Sequence, residues 1–296
     1  MPEITSYETG KPCWADVTVP DVDAGAEFYS KLFGWMAEKA PQPEAGGYTM
    51  FSKGGKHVAA ASPPMPGAEG IPPHCTVYLA SDDADATAGK IRDAGGQVLM
   101  DPFDVFDSGR MTIAVDPTGA AFGVWQARNH KGARIVNEAG SLNFNGLNTR
   151  DVAGAKAFYG SVFGWTTLVL EGGAEMWTLP GYGDHLEERT PGLRKMVAQS
   201  GGPVGFEDVV ASIVPLADDQ PDVPAHWNVT FAVDDADATA AKAKELGGTV
   251  IVPPFDAPWV RMAVLADPAG ASFIASRFVP ENRDLARQTD VGAGAA

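Results

Sequence analysis

The side chains best equipped for chemistry occur in pairs. His74 and His226 stand 152 residues apart, and Arg110 and Arg261, each followed by Met, stand 151 apart. A strand-borne imidazole two residues from Thr76 or Asn228 shares that residue's face. There it would serve as a general base or a displaced metal ligand. The plainer reading is a histidine at the mouth of a strand making one hydrogen bond, because no carboxylate or second histidine accompanies either one in a repeated pattern. The Arg110 and Arg261 forks match a carboxylate or phosphate, or else a neighbouring acid such as Asp104 or Asp116. His57, His130 and His185 have no counterparts and are expected at the surface, His185 in a solvated acidic loop with Asp184, Glu187 and Glu188. Cys13 and Cys75 form neither a CxxC pair nor a disulfide framework and suit a reducing compartment. No phosphate-binding loop, dinucleotide fingerprint, nucleophile elbow or HExxH helix is present.

The pairing of these residues reflects a duplication. VPDVDAGAEFYSKLFGW (19–35) recurs as TRDVAGAKAFYGSVFGW (149–165), so Asp21, Phe28, Tyr29, Phe33, Gly34 and Trp35 return 130 residues later. DDADATAGKIRDAGG (82–96) returns as DDADATAAKAKELGG (234–248), and RMTIAVDPTGAAFGV (110–124) as RMAVLADPAGASFIA (261–275). The change of offset from 130 to 152 places a 22-residue insertion in the second copy, at about 181–202. Within each copy Asp caps and Gly stops delimit two amphipathic helices, at about 22–34 and 84–95, then 152–164 and 236–247. Short β segments lie between them, and the Asp116-Pro117-Thr118-Gly119 and Asp267-Pro268-Ala269-Gly270 tetrads read as type I turns. Each copy therefore reads strand, helix, three strands, twice over.

Composition sets bounds on function. The chain has 296 residues, 45% hydrophobic and 20% charged, and a net charge of −16. Both portions carry that charge equally: residues 1–130 hold 9 basic and 17 acidic residues, the remainder 13 and 21. Such acidity argues against nucleic acid, whose phosphates demand Lys and Arg, and against an anionic membrane. No apolar run approaches the ~18 residues of a transmembrane span, and Met1 to Lys11 lacks a signal peptide's apolar segment. The expectation is a cytoplasmic protein, monomer or homodimer.

The FYxxxFGW helix, the DDxDA helix and the DPxG hairpin together resemble the vicinal oxygen chelate superfamily, which holds glyoxalase I, extradiol dioxygenases and bleomycin-resistance proteins. The resemblance covers about 13–126 and 143–278. GKPCW (10–14) is similar to tandem glyoxalase-like proteins of actinobacteria labelled as hydroxylases. The resemblance implies an α+β fold: two tandem glyoxalase-like domains, each a pair of βαβββ modules with a curved mixed sheet around a cleft. The expected divisions are 1–126, a linker at 127–141, 142–280, and a flexible tail at 281–296.

Enzymes of this superfamily hold one divalent metal through His, Gln or Glu on the first and last strands of each module. Carried over by spacing, those positions are Trp14, Ala60, Thr76 and Gly123, and Phe144, Ser212, Asn228 and Ile274. None is His, Asp, Glu or Cys, whereas open catalytic sites need about three N, O or S ligands. The expectation is no metal and no cofactor. Trp14 and Phe144 either line a ligand pocket or plug it, and Gly123 is expected to leave room beside the indole, with Ile274 filling the matching place. Cys13 and Cys75, next to inward positions, are expected to point outward. The candidate ligand-binding residues are thus Trp14, His74, Thr76, Arg110, Phe144, His226, Asn228 and Arg261. The first functional expectation is a protein binding a small organic molecule in a metal-free cleft. The alternatives are a lyase or a hydroxylase/dioxygenase with non-standard site residues, and an interaction protein with filled cavities.

Overall fold

The computed structural model describes residues 3–287, apart from positions 66, 69 and 218–220. The first module comprises β1 (Pro12–Thr18), α1 (Val22–Phe33), β2 (Met36–Lys39), β3 (Thr49–Lys53) and β4 (Lys56–Ser62). The second comprises β5 (His74–Ala80), α2 (Ala84–Asp93), β6 (Gln97–Val105), β7 (Gly109–Val115) and β8 (Ala121–Ala127). Their strands form one sheet in the order β2-β3-β4-β1-β5-β8-β7-β6. β1 runs parallel to β4 and antiparallel to β5, so the two modules meet edge to edge at their first strands.

The second domain repeats this order with its two central strands broken. Its third module holds β9 (Ser141–Leu142), β10 (Gly146–Thr149), α3 (Val152–Phe163), β11 (Thr166–Val169) and β12 (Glu175–Thr178), then α4 (Tyr182–Arg189), α5 (Leu193–Gln199) and β13 (Val209–Pro215). The fourth holds β14 (His226–Asn228), β15 (Thr230–Ala232), α6 (Ala236–Glu245), β16 (Thr249–Ala257), β17 (Val260–Ala266) and β18 (Ser272–Phe278). The breaks leave two five-stranded sheets, β11-β12-β13-β10-β14 and β16-β17-β18-β15-β9. The fold is the α+β arrangement of two tandem halves.

The local signals act as expected. Asp21 accepts a hydrogen bond from Ala24 N and caps α1, and Gly34, at φ 73°, ends the helix with its N–H on Ser30 O. Asp151 and Gly164 do the same for α3. A left-handed cap is a conformation that glycine adopts without a Cβ penalty. Asp83 and Asp235 cap α2 and α6. Asp116 Oδ1 gathers the N–H groups of Thr118 and Ala120 and closes the β7–β8 hairpin.

α1 and α3 each keep one face in solvent and bury the aromatic face between the domains, where it meets the other domain's last strand. Phe28 and Phe33 of α1 pack on Phe273 of β18, with ring centroids 6.5 and 6.0 Å apart. Phe158 and Tyr159 of α3 pack on Phe122 of β8 at 6.1 and 5.8 Å. Such ring pairs contribute ~0.5–1.5 kcal/mol each beyond area burial.

The insertion in the second copy folds as α4 and α5. Arg189 at the end of α4 reaches across to Ser6 O, Ser6 Oγ and Glu8 Oε1 of the first domain. The 127–141 segment also docks. Ala133 N donates to Cys13 O and Arg134 N to His57 O, both at 2.8 Å, filling the gap where β1 and β4 diverge. Pro280–Arg287 forms a 3-10 helix that overlaps the 281–296 stretch expected to be flexible, and positions 288–296 lie outside the described residues. Among the described residues no helix is long and apolar enough to cross a membrane.

Candidate functional site

β1 is buried along almost its whole length, which is why its sequence PCWADVT reads as a nearly apolar run. Ala15 and Val17 turn toward the seam between the domains, where they line a void of about 10 Å³ with Tyr29, Trp35, Phe51 and Phe231. Alternation sends Trp14 and Asp16 to the opposite face. The strand register then lines up Trp14 with Tyr78, Asp16 with Thr76 and Ala60, and Tyr78 with Gly123. One face of the first sheet thus gathers an indole, a phenol, a hydroxyl and a carboxyl.

These groups are joined in two hydrogen-bonded pairs. Trp14 Nε1 donates to the Tyr48 hydroxyl at 3.0 Å, and the Tyr78 hydroxyl donates to Asp16 Oδ2 at 2.9 Å. The hydroxyls of Tyr48 and Thr76 also act on the Asp16 carboxyl. Asp16 is only 4% exposed. Burial pushes its carboxyl up to about 7, and the three hydroxyls pull it back only in part.

His130 adjoins the first pair. Its ring meets Trp14 edge-on at 4.5 Å and lies 5.5 Å from Trp125 and 5.6 Å from His57. Burial, with lesser contributions from His57 and Arg134, holds the imidazole down to about 3, so it is neutral. Neither of its ring nitrogens has a hydrogen-bond partner among the described residues. The surface position expected for His130 is therefore corrected. The docked linker carries it against Trp14, and that burial depends on a contact distant in sequence.

The other sequence candidates fall in different places. His74 and His226 each hydrogen-bond, through Nδ1, the carbonyl two residues earlier, Pro72 O and Pro224 O, both at 2.8 Å. They sit at the entrances of β5 and β14, apart from these pairs. Arg110 and Arg261 do not reach the clefts. Strand alternation turns them to the helix side, where Arg110 forks onto Asp85 at 2.7 and 2.9 Å and Arg261 onto Asp237 at 2.6 and 2.8 Å. Phe144 falls in the break between β9 and β10 and so does not take the inward strand position of Trp14. Cys13 is buried with its thiol on Tyr78 O, and Cys75, half-buried, lines the void at the seam. Burial pushes both thiols well up, which leaves them weakly nucleophilic.

The room expected beside Gly123 is taken. A Cβ built there would collide with the Tyr78 ring, so the missing side chain accommodates the phenol rather than a vacant space. In the second domain Gly146 stands where the first has Asp16, and Thr230 where it has Tyr78. The side chains of Ser212 and Asn228 crowd over Gly146. The two domains therefore differ at matching positions: the first holds a buried acid among aromatic rings, the second an amide and a hydroxyl.

The residues present do not fit a divalent metal. The eight positions implied by the resemblance offer indole, phenyl, aliphatic, hydroxyl and amide groups, and a bare glycine. Among the described residues no group of three or more His, Cys, Asp or Glu is placed to hold a metal ion.

The model of the "Glyoxalase/Bleomycin resistance protein/Dioxygenase superfamily" matches residues 12–124 and 141–274. The chain is 43% identical over 284 residues to a protein of Mycobacterium tuberculosis named "Putative glyoxylase CFP32", covering 95% of this chain and all of that one. It is 38% identical over 282 residues to the "Anthracycline biosynthesis protein DnrV" of Streptomyces peucetius, covering 91% of this chain and 94% of the other. Among solved structures, the Mn(II)-bound glyoxalase of Novosphingobium aromaticivorans superposes with a TM-score of 0.59 at 17% identity, over 91% of this chain and 82% of that one. The 2,3-dioxygenase LapB of Pseudomonas sp. KL28 gives 0.59 at 11% identity, over 92% and 93%. At those identities the structural likeness shows the fold alone.

Proposed function

This chain belongs to the Glyoxalase/Bleomycin resistance protein/Dioxygenase superfamily, and within it we propose that it binds a small organic molecule in the first domain's cleft without a divalent metal. The observation that carries this reading is the pairing of Trp14 with Tyr48 and of Asp16 with Tyr78. It puts a polar anchor among flat apolar walls where relatives with a metal would present ligands. Pockets for small molecules have this make-up: mostly apolar linings with a few polar groups that fix orientation. The second domain, with Gly146 and Thr230 in place of the acid and the phenol, plays the supporting part.

The relatives named for anthracycline biosynthesis make an anthracycline the first probe. A thermal-shift series with that probe, and with divalent metals in parallel, tests the reading. A ligand specific to the folded state adds about 2.7 kcal/mol at a hundred times its Kd. Stabilisation by the organic probe and not by metal is expected. Stabilisation by metal alone would overturn the proposal.

A second reading is an enzyme, a lyase or hydroxylase/dioxygenase, acting in the same cleft. The raised Asp16 carboxyl favours it, because a general acid or base works best with a pKa near the working pH. The Tyr78 ring over Gly123 favours a third reading, a filled cavity in an interaction protein. Under that reading no small molecule would stabilise the protein.

A further inference from the structure

A second cavity lies apart from the cleft. It is a crevice of about 230 Å³ at the end of the first sheet, where β1 starts and β5 and β8 finish. One wall is the N-terminal stretch Thr5–Tyr7, which both domains hold in place. Ile4 N donates to Arg134 O at 3.0 Å, and the Tyr7 hydroxyl donates to Ala133 O at 2.6 Å. Arg189 of α4, in the second domain, donates to Ser6 O at 3.0 Å. The crevice is therefore preformed, and a ligand entering it is spared the cost of ordering the walls.

Two opposite charges line this crevice, and they do not meet. Neither the Lys131 ammonium nor the Asp82 carboxylate has a salt bridge or hydrogen bond among the described residues. Asp82 is exposed, as acids commonly are, but Lys131 is half-buried. Every other half-buried Lys or Arg among the described residues has an acid, a carbonyl or a ring against it, as Arg110 has Asp85 and Lys11 has the Tyr182 ring. Neutral groups lining the crevice also have capacity left. Gln126 spends Oε1 on Ala84 N and keeps its Nε2 amino group. The Tyr7 hydroxyl gives its proton to Ala133 O and keeps an acceptor lone pair. Ser6 Oγ accepts from Arg189 and keeps its own proton to donate.

We propose that this crevice binds a small zwitterion, its carboxylate on Lys131 and Gln126 and its ammonium on Asp82 and the Tyr7 hydroxyl. The site is separate from the cleft, so it stands or falls independently of any ligand bound there. A zwitterion fits better than an ion of either sign. The net charge of −16 repels an anion, which would also leave Asp82 uncompensated. A cation would set a like charge beside the half-buried Lys131. A carboxylate on Lys131 supplies the charge-assisted bond that every other cation so covered already has.

The experiment is calorimetric titration of the full chain with amino acids of increasing charge separation: glycine, β-alanine, γ-aminobutyrate and ε-aminocaproate. Butyrate and butylamine, each carrying one charge alone, are the controls, at about pH 7.5 where both groups are ionised. The best of the series should bind at least ~tenfold more tightly than either control. Lys131→Met should bring that ligand down to the level of butylamine, and Asp82→Asn to the level of butyrate. If a variant does not fold, the comparison of zwitterions with controls on the unaltered chain decides alone. The proposal is overturned if no zwitterion binds better than the controls, or if either variant keeps the preference.

Discussion

Tyr29 in the first domain donates its hydroxyl to Asp267 Oδ2 in the second, at 3.2 Å, and Tyr159 in the second returns the bond to Asp116 Oδ2 in the first, at 3.0 Å. Both tyrosines belong to the repeated FYxxxFGW helix and both acids to the repeated DPxG turn. Each acid spends its Oδ1 on its own turn and its Oδ2 on the other domain. Tyr29→Phe and Tyr159→Phe should each cost about 1–2 kcal/mol, since a buried carboxylate oxygen loses its donor. The two sites share no partner, so the losses should add within ~0.5 kcal/mol. Urea denaturation of the three variants checks this, and a shift of the midpoint below that of either single variant is expected for the pair.

Stability should depend on pH through Asp16. Its folded carboxyl sits at about 7, above its unfolded value, so the folded state holds the proton more tightly. The contribution is fully present below the unfolded pKa of ~3.9 and is lost as pH rises to about 7, with an amplitude on the order of 4 kcal/mol. Asp16→Asn should flatten the stability profile across that window and equal or exceed the unaltered chain at about pH 8. A variant that tracks the unaltered profile at every pH would assign the dependence to other groups.

Purified from a medium containing Ni, Zn, Fe and Mn, the protein should carry no stoichiometric divalent ion in either cleft. Elemental analysis decides the matter. A full equivalent bound in either domain's cleft would overturn the prediction and favour the enzyme reading.

Trp14→Phe keeps a ring but removes the Nε1 donor from Tyr48. It should weaken binding of any ligand of the first cleft by about tenfold, a loss of roughly 1.4 kcal/mol. Phe144→Ala, in the break between strands of the other domain, should leave that affinity unchanged. The reverse pattern would move the site to the second domain.

Cys13 and Cys75 should resist alkylation at neutral pH in the folded protein and react at once on unfolding, because burial disfavours both thiolates. Counting modified thiols by mass spectrometry at intervals gives the answer. Fast labelling of Cys75 alone would mean that the seam opens.

Much of this molecule was legible in its residues because the relevant signals are local. An Asp three residues before the N–H it caps, or a Gly at the end of an apolar helix face, declares itself within one turn, and the helices of 22–34 and 152–164 follow from that. The site was less legible. Asp16 escapes the sequence reading although it is the lone acid in an apolar strand, because its neighbours Tyr48 and Tyr78 come from 32 and 62 residues away and need the sheet register to find it. His130 looked like a surface residue because its burial comes from a linker that docks on the strand it follows only distantly. Of the two readings open for Arg110, the structure shows the ion pair, with Asp104 at 3.0 Å; its fork onto Asp85 depends on how α2 packs against the sheet.

Because the aromatic faces of α1 and α3 each pack on the opposite half, the chain resembles a two-fold dimer whose subunits have been joined end to end. In a homodimer encoded by one gene, every substitution appears in both subunits. A cleft there cannot gain an acid without its twin gaining it too. Joining the copies removes that constraint: Asp16 and Gly146 descend from one ancestral position yet are free to differ. One half can specialise for its ligand while the other keeps the partner surface intact, a division of labour that symmetry would have forbidden.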